Sequence, residues 1–252
     1  MGLTIDYKLK FSGTIKEATA AVSALRQGAL DLPFQNVSEI VTFKGNEADF
    51  KNSDRDDEFR WMKIQSSQYA RTATTKHGYR EMTVAPSMII GFATDPGEGC
   101  EEANFGLCRY PKTVKYEQRV IRTGLSEWSW KFFCKTQYAN NPECGGIENF
   151  LSCHLSVIAL IDTAKELGLL SEASDDSGYY ETRNLKELVE EIADWDANIA
   201  GMTKAFSFLA GSEDMSAPIR QYRNFEELVT QANGNPDIRA ILESLKAAKQ
   251  AG

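Results

Sequence analysis

The sequence has few histidines and lacks the common motifs of nucleotide-binding proteins and serine hydrolases. Only two histidines, His77 and His154, occur among its 252 residues. No G-x-S-x-G turn is present to carry a nucleophilic serine. No Gly-Lys-Ser/Thr phosphate-binding loop occurs, and no predicted strand leads into G-x-G-x-x-G. The usual signatures of a serine hydrolase, a P-loop nucleotidase and a dinucleotide-binding enzyme are therefore missing.

Positive charge is in the minority, which argues against two classes of partner. The chain has 28 Lys and Arg against 36 Asp and Glu, a formal net charge of −8. Such a surface repels phosphate backbones and anionic lipid headgroups, so we expect neither nucleic acid nor a membrane as partner. No apolar run approaches the ~18 residues that a spanning helix needs. The first residues alternate in polarity and include Asp6, unlike a signal peptide, so the expected compartment is the cytoplasm.

The five cysteines do not have the spacing of a metal site or a redox motif. No pair is separated as C-x-x-C, and the count is odd. Without a predicted signal peptide, free thiols are the expectation. Cys153 and His154 are adjacent in a predicted helix and point about 100° apart, which makes it difficult for them to bind one ion. We predict no metal and no cofactor.

The first half of the chain has the patterns of strands with one early helix. Alternation over 4–11 predicts a half-buried strand. Thr14 followed by Glu17 predicts a capping box for a helix that runs to about Leu30. Further strands are predicted over 37–43, 59–70, 81–94 and 128–135, the last with an aromatic core face (Trp128, Trp130, Phe132 and Cys134). Residues 95–111 are predicted to form a long glycine-containing loop, and His77 an exposed turn residue.

The second half is predicted to be helical. The stretch 145–168 is apolar on most sides, as a buried central helix is. Residues 179–183 are predicted to form at most an edge strand, and 235–245 the last helix. A second helix carries the clearest apolar stripe of the chain: Leu185, Leu188, Ile192, Trp195, Ile199, Met202 and Phe206.

This order predicts an α+β protein. Its N-terminal part, 1–140, should hold a mostly antiparallel sheet with one early crossover helix, in a right-handed βαβ unit formed by the first two strands. The helical part, 145–252, should pack on this sheet around the buried central helix. Two domains and one continuous domain are both compatible with the pattern.

The candidate catalytic residues are a histidine, two cysteines and a glutamate. His154 is the only histidine inside a predicted element, and Cys134 and Cys100 are nucleophiles that it could serve as base. A thiolate needs an electropositive site, whereas Cys100 lies among glutamates. Glu98 is a candidate for acid–base chemistry with other carboxylates. A lone histidine on an apolar helix face is more often a structural core residue, and this is the interpretation we favour for His154.

Four residues are candidates for binding a ligand. Gly145 and Gly146 open the central helix, where free backbone N–H groups and the helix dipole favour an anion. Glu101 and Arg109 lie in the predicted 95–111 loop, a type of segment that often carries function.

Two functions from different classes fit these features. The first is a cytoplasmic binding or interaction protein whose acidic surface engages a basic protein partner. The second is a hydrolase-type enzyme with a pocket between the sheet and the central helix, lined by the 95–111 loop, Cys134 and His154. We favour the binding protein because no catalytic motif is complete. A small-molecule ligand and the oligomeric state are left open.

Overall fold

The structure, a computed structural model, describes residues 3–73, 79–116, 119–125, 127–210, 217–234, 236, 239–240 and 243. The predictions for His77 and for most of the helix over 235–245 lie outside these residues. The strands are β1 (Thr4–Phe11), β2 (Asn36–Val37), β3 (Val41–Lys44), β4 (Gln68–Ala73), β5 (Tyr79–Val84), β6 (Met88–Asp95), β7 (Ala103–Arg109), β8 (Thr113–Tyr116), β9 (Arg119–Arg122), β10 (Trp128–Lys135) and β11 (Leu170–Asp175). The helices are α1 (Ile15–Leu30), α2 (Arg60–Gln65), α3 (Gly146–Glu166), α4 (Tyr179–Thr182), α5 (Leu185–Ala210) and α6 (Phe225–Ala232).

The predicted α+β class is confirmed, with an antiparallel sheet in the first half and a central helix in the second. The main sheet has the order β11-β1-β10-β7-β6-β2, and β3 also pairs with β6. Every neighbouring pair in this sheet is antiparallel. The helix α1, which begins at the predicted Thr14–Glu17 capping box, joins β1 to β2. These two strands run in the same direction but have three strands between them, so the early crossover helix spans most of the sheet.

The inner face of the sheet forms the core. The alternating side chains of β10 are buried as predicted, including Trp130 and Phe132. Tyr7 on β1 stacks on Phe105 of β7 with ring centroids 4.5 Å apart. Helices α1 and α3 contribute apolar side chains such as Leu25 and Ile161 to the same cluster. Burial of each large side chain in such a core stabilises the fold by roughly 1.5–3 kcal/mol.

On the outer face, α2 lies over a pair of glycines. Gly91 on β6 is directly opposite Gly106 on β7, and the sulfur of Met62 would lie 3.5 Å from a Cβ at Gly91. A Cβ at Gly106 would approach the carbonyl oxygen of Ile90 to 2.4 Å.

The prediction of one strand over 59–70 is wrong, because this segment forms α2 and then the start of β4. A helix of six residues is too short for its periodicity to be recognised.

The predicted loop over 95–111 is strand in about half of its length. Asp95 ends β6 and residues 103–109 form β7, which is buried from Ala103 to Cys108, so the non-strand residues are 96–102 and 110–111. Gly106 lies in β7, where it allows the close approach to β6. The strand predicted over 37–43 divides into β2 and β3, and the proline-interrupted strand over 81–94 is two strands, β5 and β6.

In the second half, the central helix returns the chain to the sheet. After α3, the chain forms β11, which pairs with β1. The sequence patterns did not indicate β11. The edge strand expected over 179–183 is instead the short helix α4. Because β11 belongs to the predicted part 145–252 and β1 to 1–140, the two predicted parts share one sheet. Whether they are one domain or two stays a prediction.

Helix α5 is less buried than its apolar stripe predicts. Its stripe is buried at Leu188 and Ile192, whereas Leu185 and Phe206 at the two ends are each 45% exposed.

Among the described helices, only α3 is long and apolar enough to cross a membrane by length and composition. Half of its most apolar window is buried inside the protein, so its length and composition are weak support for a membrane span.

Candidate functional site

His154 is bonded at both ring nitrogens by residues from two other elements. Thr136, which directly follows β10, places its hydroxyl 2.9 Å from Nδ1, and Asp175 at the end of β11 places Oδ2 3.1 Å from Nε2. All three side chains are buried, and His154 is 0% exposed. A carboxylate only accepts, so we assign a hydrogen to Nε2 and donation by the Thr136 hydroxyl to Nδ1.

The carboxylate of Asp175 is bonded further by the turn that follows it. The hydroxyl of Ser177 donates to Oδ2 over 2.7 Å, and the backbone N–H groups of Ser177 and Tyr180 donate to Oδ1 and Oδ2. Burial alone would raise the pKa of Asp175, but the bonds from His154 and Ser177 outweigh it, so the pKa is lowered. Through Thr136, His154 and Asp175, the network connects the end of β10 with α3 and β11. Such a connection is expected of a histidine with a structural role in the core.

The thiols proposed as nucleophiles lie close to this network. The Sγ of Cys134 donates to the carbonyl of Glu101 over 3.2 Å, and the Sγ of Cys100 lies 4.0 Å from the carbonyl of Thr136. Burial raises the pKa of the Cys134 thiol. The pKa of Cys100 is raised chiefly by its hydrogen bond with Cys153, whose own pKa this bond lowers. Cys100 thus lies next to Thr136, the partner of His154, but the bonds described for the two thiols go to backbone carbonyls and, for Cys100, to Cys153. Cys134 and His154 are inaccessible to a substrate.

The remaining sequence candidates are dispersed. Glu98 is exposed, and its backbone carbonyl accepts from the side chain of Asn149. Gly145 and Gly146 have positive φ at the start of α3, and their N–H groups are bonded to the carbonyls of Pro142 and Asn141. The structure does not bring the four ligand candidates together: Glu101 precedes β7 and Arg109 ends it, so the length of this strand, about 20 Å at strand spacing, lies between them.

The acidic residues of 45–58 border a depression of about 930 Å³. This segment begins after β3 and contains two short 3₁₀ turns, Gly45–Ala48 and Phe50–Asn52. Exposed carboxylates at its rim include Glu47, Asp54 and Asp56. Six acids and two bases occur in the fourteen residues, a net charge of −4 and thus half of the net −8 of the chain. Such a concentration of one sign at a concave surface strengthens the local potential.

One base at this depression, Lys63, is paired internally, whereas Arg55, which also lines the depression, is exposed. Lys63 on α2 is 6% exposed and bonds its Nζ to Oδ2 of Asp57 over 2.7 Å. The same ammonium lies 4.0 Å above the ring of Phe43. Despite partial burial, which raises it, the pKa of Asp57 is lowered by these bonds with Lys63 and the Phe59 N–H. Lys63 therefore neutralises Asp57 and leaves the rim carboxylates exposed to solvent.

A second depression, of about 430 Å³, adjoins the first at Asp57. We call it the Trp61 pocket. Its walls come from α2 and from the loop that leads into β7: Asp57, Glu58, Arg60, Trp61, Ile64, Glu101 and Glu102. Glu101 was a candidate from the sequence. Trp61 was not, because a single tryptophan in a predicted strand carries no signal of its own.

Comparisons with known proteins add no relative. No family model matches the chain, and searches of curated proteins and of solved structures found no match. Within the described ranges, no three His, Cys, Asp or Glu side chains are grouped to hold a metal ion. The expectation that no metal is bound stays a prediction. Function is therefore inferred from geometry and charge alone.

Proposed function

We propose that this protein is a binding protein that holds a basic segment of a partner protein on its acidic face. The acidic face consists of residues 45–58 together with Glu101 and Glu102. The partner would supply lysines and arginines, and no covalent chemistry would take place. The hydrolase is the weaker alternative.

The concentration of charge carries this proposal. Half of the net charge of the chain belongs to 45–58, and Glu101 and Glu102 border the pocket that adjoins this segment. The ammonium of the nearby Lys63 is paired with the carboxylate of Asp57, so it does not neutralise the carboxylates at the rim of the depression. Like charges held close together repel one another, and a cationic partner relieves that repulsion as it binds.

The hydrolase receives less support from the same geometry. A nucleophile and its base must face a cavity that a substrate can enter. Neither of the two depressions is lined by a histidine or a cysteine. Cys134 and His154 are fully buried, and burial raises the pKa of the Cys134 thiol away from the reactive form.

The test is the affinity of the protein for a simple basic probe. A fluorescein-labelled twelve-residue peptide of alternating Lys and Gly is titrated with the protein and followed by anisotropy at 50 and 300 mM salt. The same peptide with Glu in place of Lys is the negative probe. We expect binding of the Lys peptide at low salt, weakened at least about tenfold at high salt because screening shortens the range of the attraction.

A triple variant of the acidic face, Asp54→Asn/Asp56→Asn/Glu58→Gln, should lose about tenfold in affinity at 50 mM salt. The matched control, Glu166→Gln/Glu190→Gln/Asp194→Asn, changes the net charge by the same amount with exposed acids on α3 and α5. We expect it to lose less than about twofold, since these charges are not on the acidic face. Equal losses in both triple variants, or no binding by the unaltered protein, would contradict the proposal.

A further inference from the structure

The Trp61 pocket combines an aromatic ring with carboxylates, two of which have no ion pair among the described residues. Trp61 is half-buried, and its ring meets that of Phe133 edge-on at 6.2 Å and 88°. This contact fixes the indole against the sheet at the wall of the pocket. Glu58 and Glu102, which also line the pocket, form no salt bridge with any residue that the structure describes.

Two cations close to the pocket have other partners. Arg60 donates through Nη1 to the carbonyl oxygens of Phe50 and Ser53, at 3.0 and 2.8 Å, so its guanidinium is held by the backbone. Lys135 forms an ion pair with Oε1 of Glu101 at 3.6 Å, while Oε2 of Glu101 is buried and has no hydrogen-bond partner in the described part of the chain. The carboxylates of the pocket that lack an ion pair among the described residues are therefore those of Glu58 and Glu102.

A buried amide of β7 interacts with one carboxylate of the pocket. Asn104 is 0% exposed, and its side chain acts through a hydrogen bond to lower the pKa of Glu102. Because Phe105 points to the inner face, alternation places Asn104 on the outer face, where α2 lies. Asn104 does not line the pocket itself, so it helps to position Glu102.

The repulsion within the pocket is reflected in Glu102. Partial loss of water is the main cause that raises the pKa of this carboxyl, and the charges of Asp95 and Glu58 raise it further. A bound cation would reverse these effects by pairing with the carboxylates.

The chemistry favours a guanidinium over an ammonium. A guanidinium is planar, so it stacks on an indole and still donates to carboxylates at its edge. An ammonium is a compact, strongly hydrated charge that gains less from the ring. Five N–H donors also allow a guanidinium to serve more than one oxygen at a time.

We propose that the Trp61 pocket binds the guanidinium of one arginine in the basic segment of the partner, with the ring of Trp61 as platform and Glu58, Glu101 and Glu102 as acceptors. This inference rests on the proposed function, since the acidic face attracts the segment in either case. It adds selectivity: the acidic face attracts any basic segment, and the pocket selects arginine.

The experiment compares two peptides of equal charge. Twelve-residue peptides of alternating Arg and Gly, or Lys and Gly, are titrated at 150 mM salt and followed by anisotropy and by tryptophan fluorescence. We expect the Arg peptide to bind about five- to twentyfold more tightly, as a desolvated cation–π contact allows. It should also quench tryptophan emission. Trp61 and Trp195 are half-buried while Trp128 and Trp130 are buried, so quenching that persists in Trp195→Phe is assigned to Trp61.

Variants then assign the selectivity to the pocket. Trp61→Leu should bring the Arg peptide to within about twofold of the Lys peptide, with Lys binding changed by less than about twofold. Should Trp61→Leu reduce the melting temperature too far, Trp61→Phe is the alternative. It keeps an aromatic ring that attracts a cation less strongly, so it should retain only part of the preference for the Arg peptide. The matched control is Trp195→Phe on α5, which should keep the full preference.

The outcomes separate this inference from the proposed function. Equal binding of the two peptides by the unaltered protein, or an arginine preference that survives in both Trp61 variants, would overturn the pocket and leave the acidic face standing. If the unaltered protein binds neither peptide, even at 50 mM salt, both proposals are overturned. Loss of the preference confined to the Trp61 variants supports both.

Discussion

At the scale of single residues, some buried polar side chains form all of their hydrogen bonds, and others lack at least one. His154 belongs to the first kind: Thr136 and Asp175 occupy both of its nitrogens, at 2.9 and 3.1 Å. Removing such a group leaves its partners without a bond in a place that water does not reach, which costs more than the bond itself contributes.

We therefore expect His154→Gln to lower the free energy of unfolding by ~1–3 kcal/mol, measured by urea denaturation at pH 7. The amide oxygen and nitrogen of a glutamine lie in different positions from the two ring nitrogens of histidine. The glutamine therefore cannot bond Thr136 and Asp175 at the same time. Lys186→Gln, an exposed change on α5, serves as control and should alter stability by less than about 0.5 kcal/mol. Unchanged stability in His154→Gln would favour a functional histidine and strengthen the hydrolase alternative.

The same network predicts a pH dependence. Because the pKa of Asp175 is lowered in the folded protein, its charged form contributes stability above the unfolded pKa of about 3.9. This contribution is lost as the pH falls through the folded pKa. Asp175→Asn should thus reduce stability at pH 7 and flatten the loss below about pH 4. Parallel stability curves for Asp175→Asn and the unaltered protein across this range would contradict the assignment.

Asp196 on α5 is the opposite case. It is 3% exposed, and among the described residues it accepts from the side chains of Gln137 and Asn140, at 3.3 and 2.7 Å. Burial raises its pKa to about 6 despite these two bonds. The folded state therefore binds the proton more tightly than the unfolded state, and stability rises as the pH falls from 7 towards 4.

We expect Asp196→Asn to stabilise the protein at pH 7, by on the order of 2 kcal/mol, and to remove this rise. The new amide could also donate to Oε1 of Gln137, which is buried without a partner in the described part of the chain. Thermal melts at pH 4, 5, 6 and 7 measure both effects. Asp194→Asn, an exposed neighbour, is the control and should leave the curve unchanged. A lower melting temperature for Asp196→Asn at pH 7 would refute the prediction.

At the scale of elements, β6 and β7 approach each other over a pair of glycines. Gly106 has no room for a side chain, because a Cβ would lie 2.4 Å from the Ile90 oxygen and 2.7 Å from the Gly91 Cα. Both of those atoms are backbone, which cannot move without shifting β6. We expect Gly106→Ala to destabilise the protein by ~1–3 kcal/mol, measured by thermal or chemical unfolding.

A glycine that meets only a side chain provides the comparison. At Gly28 on α1 the added carbon would lie 2.7 Å from the Cγ2 methyl of Thr163, with no backbone atom as close. Gly28→Ala combined with Thr163→Ser removes that methyl and should gain up to about 1 kcal/mol from helix propensity. Similar losses in Gly106→Ala and in the Gly28→Ala/Thr163→Ser pair would show that close backbone contact is not the cause at Gly106.

The elements differ in how far sequence alone predicts them. Long periodic segments such as β1, α1, β10 and α3 were predicted because their faces are set by local alternation or helical spacing. The short helix α2 and strand β7 were not, since each is specified by what lies against it: α2 by the groove over Gly91, and β7 by its pairing with β6. Strand β11 carries Ser171, Glu172 and Ser174 and has almost no apolar pattern, because only its pairing with β1 defines it.

The site divides in the same way. Burial of His154 followed from the apolar face on which it lies, and its partners did not, because Thr136 and Asp175 are 18 and 21 residues away in sequence. The acidic character of 45–58 is a property of the sequence itself, with six acids in fourteen residues. The pocket beside it was not, because its walls join α2 to a loop some forty residues further on.

At the scale of the whole molecule, the sheet joins both halves of the chain. The inner face of β1 and β10 is covered by α3, and the outer neighbour of β1 is β11. A fragment of residues 1–140 would expose that face and leave the edge of β1 unpaired. We expect it to lack a cooperative melting transition and dispersed amide NMR signals, while co-expression with 145–252 should restore both. A fragment 1–140 that melts cooperatively by itself would instead establish two domains.

The pairing of β1 with a strand far along the chain has a consequence for biosynthesis. This strand is made well before its partner β10, which begins only after the 116 residues 12–127 have followed. At about 5–20 residues per second, the ribosome takes roughly 6–23 s to supply that partner. Throughout this interval β1 is an unpaired strand with Ile5, Tyr7 and Leu9 exposed. The charges that alternate with them, Asp6, Lys8 and Lys10, discourage pairing between neighbouring nascent chains until β10 and β11 arrive.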